Sequence, residues 1–147
     1  MRTIIPRRFD FTSCFVCGPD NLRGLHLVFE QEGGQVFSTF TLPFEYGGYG
    51  TILHGGLTST VLDEAMAWAV YGLLDRLSMT TSLHIQFIRP ARCGEPLNVT
   101  GGVRSSDGQV AEAHAELRDA AGLLLAEGTG SMRFVSNRAI ERIARGG

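Results

Sequence analysis

Residues 54–64 hold the densest chemistry in the sequence: His54-Gly55-Gly56, then Asp63 nine residues after the histidine, with Glu64 beside it. The whole stretch Thr51–Leu74, TILHGGLTSTVLDEAMAWAVYGLL, reads as one long apolar helix with two acids near its middle. The opening N–H groups of a helix have no internal partner, and the helix dipole places partial positive charge there. A glycine at that point lets a ligand oxygen come close to the backbone. Gly55 or Gly56 could therefore hold the oxygen of a thioester or other carbonyl as it becomes negative, the task of an oxyanion hole. The plainer reading of the pair is a tight loop-to-helix turn.

At roughly 1.5 Å per residue, Asp63 lies about 10 Å or more along the helix from His54. It cannot easily serve the oxyanion site of its own chain. It could serve the site of a neighbouring subunit whose helix runs antiparallel beside it. A carboxylate in an apolar groove becomes a better base for water, or can itself attack a carbonyl. Alone, Asp63 reads equally well as a surface acid, and Glu64 better as a helix-surface acid. His54 could polarise the carbonyl, orient Gly55, act as acid and base, or simply cap the helix.

The remaining candidates carry less. Cys14-Phe-Val-Cys17-Gly is knuckle-like, but zinc wants four ligands, and only Cys93, His26 and scattered acids remain. A redox pair would open a helix after a strand, whereas Gly-Pro-Asp-Asn follows here. The expectation is a structural turn, with no metal. His26, His84 and His114 fall in strand-like runs without metal-ligand spacing and read as structural. Phosphate loops, GxGxxG, GxSxG and HExxH are absent from the sequence, so no cofactor is expected.

The elements around these residues are legible. The chain has 147 residues, 44% hydrophobic and 19% charged, with a formal net charge of −2. This suits one globular domain and gives no reason to expect nucleic acid. No apolar run is long enough to span a membrane without a carboxylate intruding. The basic opening MRTIIPRRFD lacks the features of a signal peptide, and three cysteines form no secreted framework, so a cytoplasmic setting is expected. Leu25–Gln31 and Gln35–Leu42 flank Gly33-Gly34 as a hairpin. The helix runs from Leu57 to about Leu74, after a loop over Pro43–Gly56. Four alternating runs follow, Ser82–Pro90, Pro96–Ser105, Gln109–Asp119 and Leu123–Val135, joined by short turns that favour an antiparallel meander. Residues 1–23 form an N-terminal segment with the CxxC turn, 24–135 one domain, and 136–147 a loose or short helical tail.

Ala111, Ala113 and Ala115 share a strand face, and Ala126, Gly128 and Gly130 share one with Leu124 and Met132. Small residues leave room for a bulky element to approach, and the one available is the helix. On the helix, Leu62, Ala65, Met66, Ala69 and Leu73 form a core stripe. Thr60, Asp63, Glu64, Ala67 and Tyr71 form a second stripe facing a cleft or a partner. An α+β hotdog fold, an antiparallel sheet wrapped around one long central helix, follows. Its apolar seam calls for a dimer built by joining two sheets edge to edge.

Leu53–Ala65, LHGGLTSTVLDEA, resembles the His-Gly-Gly…Asp signature of hotdog-fold acyl-CoA thioesterases of the phenylacetate-pathway (PaaI-like) type. The segments Cys14–Phe29, Ser82–Gly101 and Gly122–Val135 are similar to that family as well, so the likeness runs over nearly the whole chain. It implies hydrolysis of an acyl-CoA thioester in a homodimer or a tetramer of two dimers, without cofactor, nucleic acid or membrane. By that likeness the Gly55 N–H is the oxyanion donor, with Gly56 beside it. Asp63 is the catalytic carboxylate, contributed across the interface, and His54 lies beside the hole. Thr80 or Thr81 falls near a position that holds the attacking water. The loop EYGGYGTIL lacks an Asn that some members place there, and Glu64 is ambiguous because other hotdog branches use Glu. Met66, Trp68, Tyr71, Phe44 and Tyr46 could line an aryl or medium-chain pocket, and Arg89 or Arg92 could meet the nucleotide phosphates. The competing readings are a hotdog dehydratase using His54 and Glu64, and a non-catalytic acyl-CoA-binding protein.

Overall fold

The computed structural model describes residues 1–9 and 11–146. Its strands are β1 (Thr3–Ile4), β2 (Glu30–Glu32), β3 (Gln35–Phe40), β4 (Leu77–Phe87), β5 (Leu97–Ser106), β6 (Val110–Asp119) and β7 (Leu124–Val135). The helices are α1 (Gly55–Leu74) and α2 (Asn137–Ala144). All seven strands join one antiparallel sheet in the order β1-β2-β3-β5-β6-β7-β4.

Turn chemistry sets much of this register. Gly33 and Gly34 both take positive φ, 58° and 78°, between β2 and β3, the backbone that a two-residue hairpin of matching twist requires. The last four strands are a meander in which β5, β6 and β7 pair in sequence. β4 returns to the far side of β7 and forms a free edge eleven residues long.

The sheet wraps α1 because its inner face is made small. A side chain at Gly101 would sit 2.6 Å from the Ala65 carbonyl oxygen, and one at Gly130 would sit 3.2 Å from the Met66 sulfur. Ala111, Ala113 and Ala115 are buried alongside. These residues let the helix axis come down onto the strands, and Leu62, Ala65, Met66 and Ala69 fill the contact at 0% exposure. This is the hotdog architecture the sequence implies.

α1 is apolar nearly all round, and a helix of that kind must be covered on more than one side. The second cover is the N-terminal segment. Trp68 stacks on Phe29 with ring centroids 5.5 Å apart, and Phe9 meets Tyr71 edge-on at 5.1 Å. Tyr71 lines a cavity with Glu64 and Ala67, as its helical stripe suggested, but Asp63 does not share it. The Tyr71 hydroxyl accepts from the Arg8 N–H at 2.8 Å and donates to the Pro6 carbonyl at 3.1 Å.

Other boundaries move for physical reasons. The glycine pair lies inside α1, so the helix begins at Gly55, not Leu57. The segment expected as a strand from Leu25 enters the sheet only at Glu30. Before that, Leu25 and Leu27 donate to the carbonyls of Phe15 and Val16. His26 takes positive φ in this loop, outside any strand. β4 starts at Leu77, five residues before the expected strand, because its exposed edge breaks the apolar alternation. At β7, a register shift opposite Leu117–Arg118 gives the buried place to Leu125 instead of Leu124. Among the described residues, no helix is long and apolar enough to cross a membrane.

Candidate functional site

His54 is the N-cap of α1. Its Nδ1 accepts the Gly56 N–H at 2.9 Å, and its carbonyl accepts the N–H groups of Leu57 at 2.9 Å and Thr58 at 3.1 Å. The bond from Thr58 is the first of the helix proper; with the His54 N–H donating to the Tyr46 carbonyl at 3.0 Å, three of the four N–H groups a helix start leaves open, those of His54, Gly56 and Leu57, are satisfied. Among the described residues, the fourth, Gly55 N–H, has no partner. The two glycines therefore differ: Gly56 is committed to the histidine, and Gly55 is free for a ligand. His54 is a cap that keeps its Nδ1 occupied.

Gly55 opens onto a cavity of about 310 Å³ lined by Leu53, Thr58, Phe87, Ile88, Arg89 and Ala91, among others. Phe87 on β4 lies over Gly55, its ring edge 3.5 Å from where a Cβ would stand. Arg89 lines the same cavity and is tethered by a hydrogen bond from Nη1 to the Leu124 carbonyl at 2.9 Å. Arg92 donates to Thr51 Oγ1 at 3.1 Å.

At the other end of the same strand, Thr80 Oγ1 donates to Asp63 Oδ1 at 2.6 Å. A short bond of this kind is charge-assisted. The geometry depends on a β-bulge: the β4–β7 register shifts between Thr80 and Ser82. Thr80 faces α1 before it, and Leu83 and Ile85, which press on Gly130 and Gly128, face α1 after it. A bulge changes the parity of a strand, so Thr80, Leu83, Ile85 and Phe87 all line one face. Thr81, the inserted residue, turns back and donates to the Ser131 carbonyl at 3.1 Å. Of the two threonines, Thr80 meets the acid.

Glu64 belongs to a different place. Being the next residue, it points about 100° around the helix from Asp63, under the N-terminal segment. Its Oε1 accepts from Trp68 Nε1 at 3.1 Å and lies 3.8 Å from Cys14 Sγ. Burial, and then the charge of Cys14, push its carboxyl up to about 7. The Cys14 thiol is lowered to about 5, chiefly by the hydrogen bond from Cys17 and then by backbone N–H groups, while Cys17 is raised. Met66 is fully buried against the sheet glycines and lines no cleft. Phe44 covers Gly94 in a short 3-10 turn, and the Tyr46 hydroxyl donates to the Arg23 carbonyl at 3.0 Å. Neither these residues nor Trp68 and Tyr71 line the cavity at Gly55.

The sequence reading missed Phe87 and Thr58 as neighbours of Gly55. The alternation of residues 82–90 held the signal for Phe87, but the bulge that turns it inward has no sequence mark.

Within one chain, Gly55 and Asp63 are eight helical residues apart, about 12 Å, too far to share one carbonyl. Both lie beside the free β4 edge. Four large apolar residues on or just past it, Met79, Leu83, Phe87 and Ile88, are 41–60% exposed.

Residues 50–126 match the family model described as the Thioesterase superfamily. Among solved structures, the chain is similar to protein RHA08564, a thioesterase superfamily protein, at 28% identity over 90% of this chain and 68% of that one, with a TM-score of 0.77. It shares its fold with the Escherichia coli PaaI protein of the phenylacetic acid degradation operon, at 21% identity over 76% and 81% of the two chains and a TM-score of 0.70. It also shares it with a hypothetical thioesterase protein solved with coenzyme A from Streptococcus pneumoniae, at 17% identity over 70% and 80% and a TM-score of 0.66. A curated relative, the uncharacterized protein C26H8.11c of Schizosaccharomyces pombe, is 38% identical over 47 residues, 31% of this chain and only 27% of its own length.

Proposed function

The chain belongs to the thioesterase superfamily, and from that membership we propose that it hydrolyses an acyl- or aryl-CoA thioester at a site shared between two copies. The observation that carries the reading is the pair of half-sites at the two ends of β4: an unpartnered Gly55 N–H at one end, Asp63 held by Thr80 at the other. A two-fold axis near Leu83–His84 would pair β4 with its mate antiparallel. Thr80 and Asp63 of one chain would then lie opposite Phe87 and Gly55 of the other. The pairing also covers an exposed strand edge that carries Met79, Leu83 and Phe87, a template for pairing with another chain.

In the assembled site the thioester carbonyl points its oxygen at Gly55 N–H. Charge developing there meets a fixed donor and the positive end of α1. Asp63 from the facing copy takes a proton from water as the water oxygen bonds to the carbonyl carbon, or bonds to that carbon itself, and Thr80 fixes which carboxylate oxygen is presented. The carbonyl re-forms as the C–S bond breaks, and coenzyme A leaves as the thiolate, which takes up the proton; in the direct route water then hydrolyses the acyl–Asp63 anhydride to release the acid. His54 acts by capping, holding Gly56 so that Gly55 is left free. Arg89, at the mouth of the Gly55 cavity, and Arg92 near it offer charge to the nucleotide phosphates. A dehydratase using His54 and Glu64 finds less support, since His54 Nδ1 is occupied and Glu64 lies under the N-terminal segment beside Cys14 and Trp68.

Mixed dimers test the shared site. Gly55→Pro deletes the N–H at the first helical position, where proline fits, and His54 already has the extended backbone that proline demands of its predecessor. Gly55→Pro and Asp63→Asn should each abolish thiol release from acyl-CoA. Unfolding and refolding the two together should restore activity, because each hybrid carries one intact site. Absence of recovery in verified hybrids would reject the shared site. Equal turnover by wild type and both variants, across aryl-, short- and long-chain thioesters, would reject the hydrolase.

A further inference from the structure

Sequence alone leaves the CxxC turn short of a zinc site, with only Cys93, His26 and scattered acids to add to it and no acid marked as its third ligand. The fold supplies one. Cys14, Cys17 and Glu64 bring two sulfurs and a carboxylate oxygen within 4.8 Å of one another, although Glu64 comes from the middle of α1. Tetrahedral zinc, with Zn–S near 2.3 Å and Zn–O near 2.0–2.2 Å, needs ligand atoms roughly 3.5–3.8 Å apart. The Cys14 Sγ to Glu64 Oε1 separation is 3.8 Å.

The surroundings are those of a ligand set. The N–H groups of Val16 and Cys17 point at Cys14 Sγ, at 3.4 and 3.5 Å. The turn closes through Gly18 N–H to the Cys14 carbonyl at 2.9 Å, and a Cβ at Gly18 would strike the Cys14 nitrogen at 2.4 Å. Only glycine permits so tight a knuckle. Trp68 Nε1 fixes the Glu64 carboxylate at 3.1 Å, as outer partners fix metal-binding carboxylates. Two thiolates and a carboxylate around a dication carry one net negative charge. Arg7 is placed to offset it: its guanidinium donates to the Cys17 carbonyl at 2.7 Å and the Phe11 carbonyl at 3.0 Å.

The three residues line a cavity of about 150 Å³, and Ser78 lines it as well.

We propose that Cys14, Cys17 and Glu64 bind one thiophilic divalent cation of the zinc class, whose fourth position faces the cavity beside Ser78 and takes water. Thiolates select zinc over magnesium or calcium. The ion joins the N-terminal segment to α1, so its role is to hold that segment down. The inference does not rest on the thioesterase reading.

The test uses the full chain, purified under reductant, stripped with a chelator and titrated with Co²⁺ and then Zn²⁺. One equivalent of Co²⁺ should give thiolate charge-transfer absorption and the visible bands of a tetrahedral ion, both displaced by Zn²⁺. Cys14→Ser and Cys17→Ser should each weaken binding by at least about 100-fold, and Glu64→Gln by about 10-fold or more. Serine at these positions can disturb folding, so the wild type provides a second measurement. Zn²⁺ should slow alkylation of Cys14 and Cys17, read peptide by peptide, and leave buried Cys93 unchanged. A stoichiometry of zero, a spectrum without thiolate bands, affinity unaffected by Glu64→Gln, or unprotected Cys14 and Cys17 would each overturn the site.

Discussion

Asp63 and Glu64 are neighbours in sequence and carry the same charge, yet they occupy opposite kinds of ground. Asp63 lies beside an unpaired strand edge and is met by one hydroxyl from Thr80. Glu64 lies beneath a folded-over segment, between Trp68 and two cysteines. A rotation of about 100° per residue is enough to separate them. In the proposed dimer a second molecule completes one side of α1, and the chain itself covers the other. The proposal gives the carboxylate on the first side to substrate and the one on the second to the structure.

The largest expected effect breaks this comparison if it fails. Asp63→Asn should lower kcat by about 10²–10⁴-fold, the range lost with a general base, and leave the melting temperature nearly unchanged. Glu64→Gln should leave kcat within about threefold. Steady-state thiol release and calorimetry on the same preparations decide it. Equal loss from the two variants would make the two sides one site.

The closed side should fail in the opposite manner. Trp68 is 6% exposed and stacks on Phe29. Trp68→Ala should cost about 3–5 kcal/mol of stability, as deletions of buried aromatics do, and leave kcat within a few-fold well below its melting point. Denaturant unfolding alongside kinetics would show it. A collapse of kcat in a folded Trp68→Ala protein would mean that the N-terminal cover takes part in the reaction.

This asymmetry explains what was legible in the sequence. The central helix, the meander and the small-residue face follow from periodicity and turn residues, which are local. The His-Gly-Gly…Asp spacing drew attention to α1. What it could not settle was which glycine stays free, because that depends on the rotamer of His54. Nor could spacing show that Tyr71 lies under the N-terminal segment, or that Thr80 rather than Thr81 meets Asp63. The first needs a long-range contact, the second a bulge. Met66 looked available only because a stripe pattern does not say how closely glycines let the sheet approach.

Thr80 sharpens the open side further. Thr80→Val keeps the shape and removes the hydroxyl bonded to Asp63. A kcat decrease of about tenfold with KM unchanged is expected, about 1.4 kcal/mol, at the upper end of what a typical hydrogen bond contributes. Thr81→Val, one residue away, should change kcat little, since its hydroxyl serves only the Ser131 carbonyl.

The smallest effect lies on neither side of α1 but on the outer face of the sheet, where His114 reports the cost of burial without chemistry. His114 shares a surface depression with His84, Arg104, Glu116 and Glu127. Its pKa falls below the ordinary histidine value of 6.5, first because it is partly buried, then because Arg104 repels the charged form, while Glu116 pulls the other way. The unfolded chain therefore takes up the proton more readily than the folded one. This contribution to stability is fully present above the unfolded pKa and is lost as pH falls through the folded one. Glu64, raised to about 7, and Cys14, lowered to about 5, titrate in the same window, so the effect is read as a difference: between about pH 5 and 8 the wild-type urea midpoint should fall further on the acid side than that of His114→Gln. If His114→Gln ran parallel to the wild type instead, covering a charged group on the outer face would cost nothing, and the contrast between covered and open ground would lose its simplest instance.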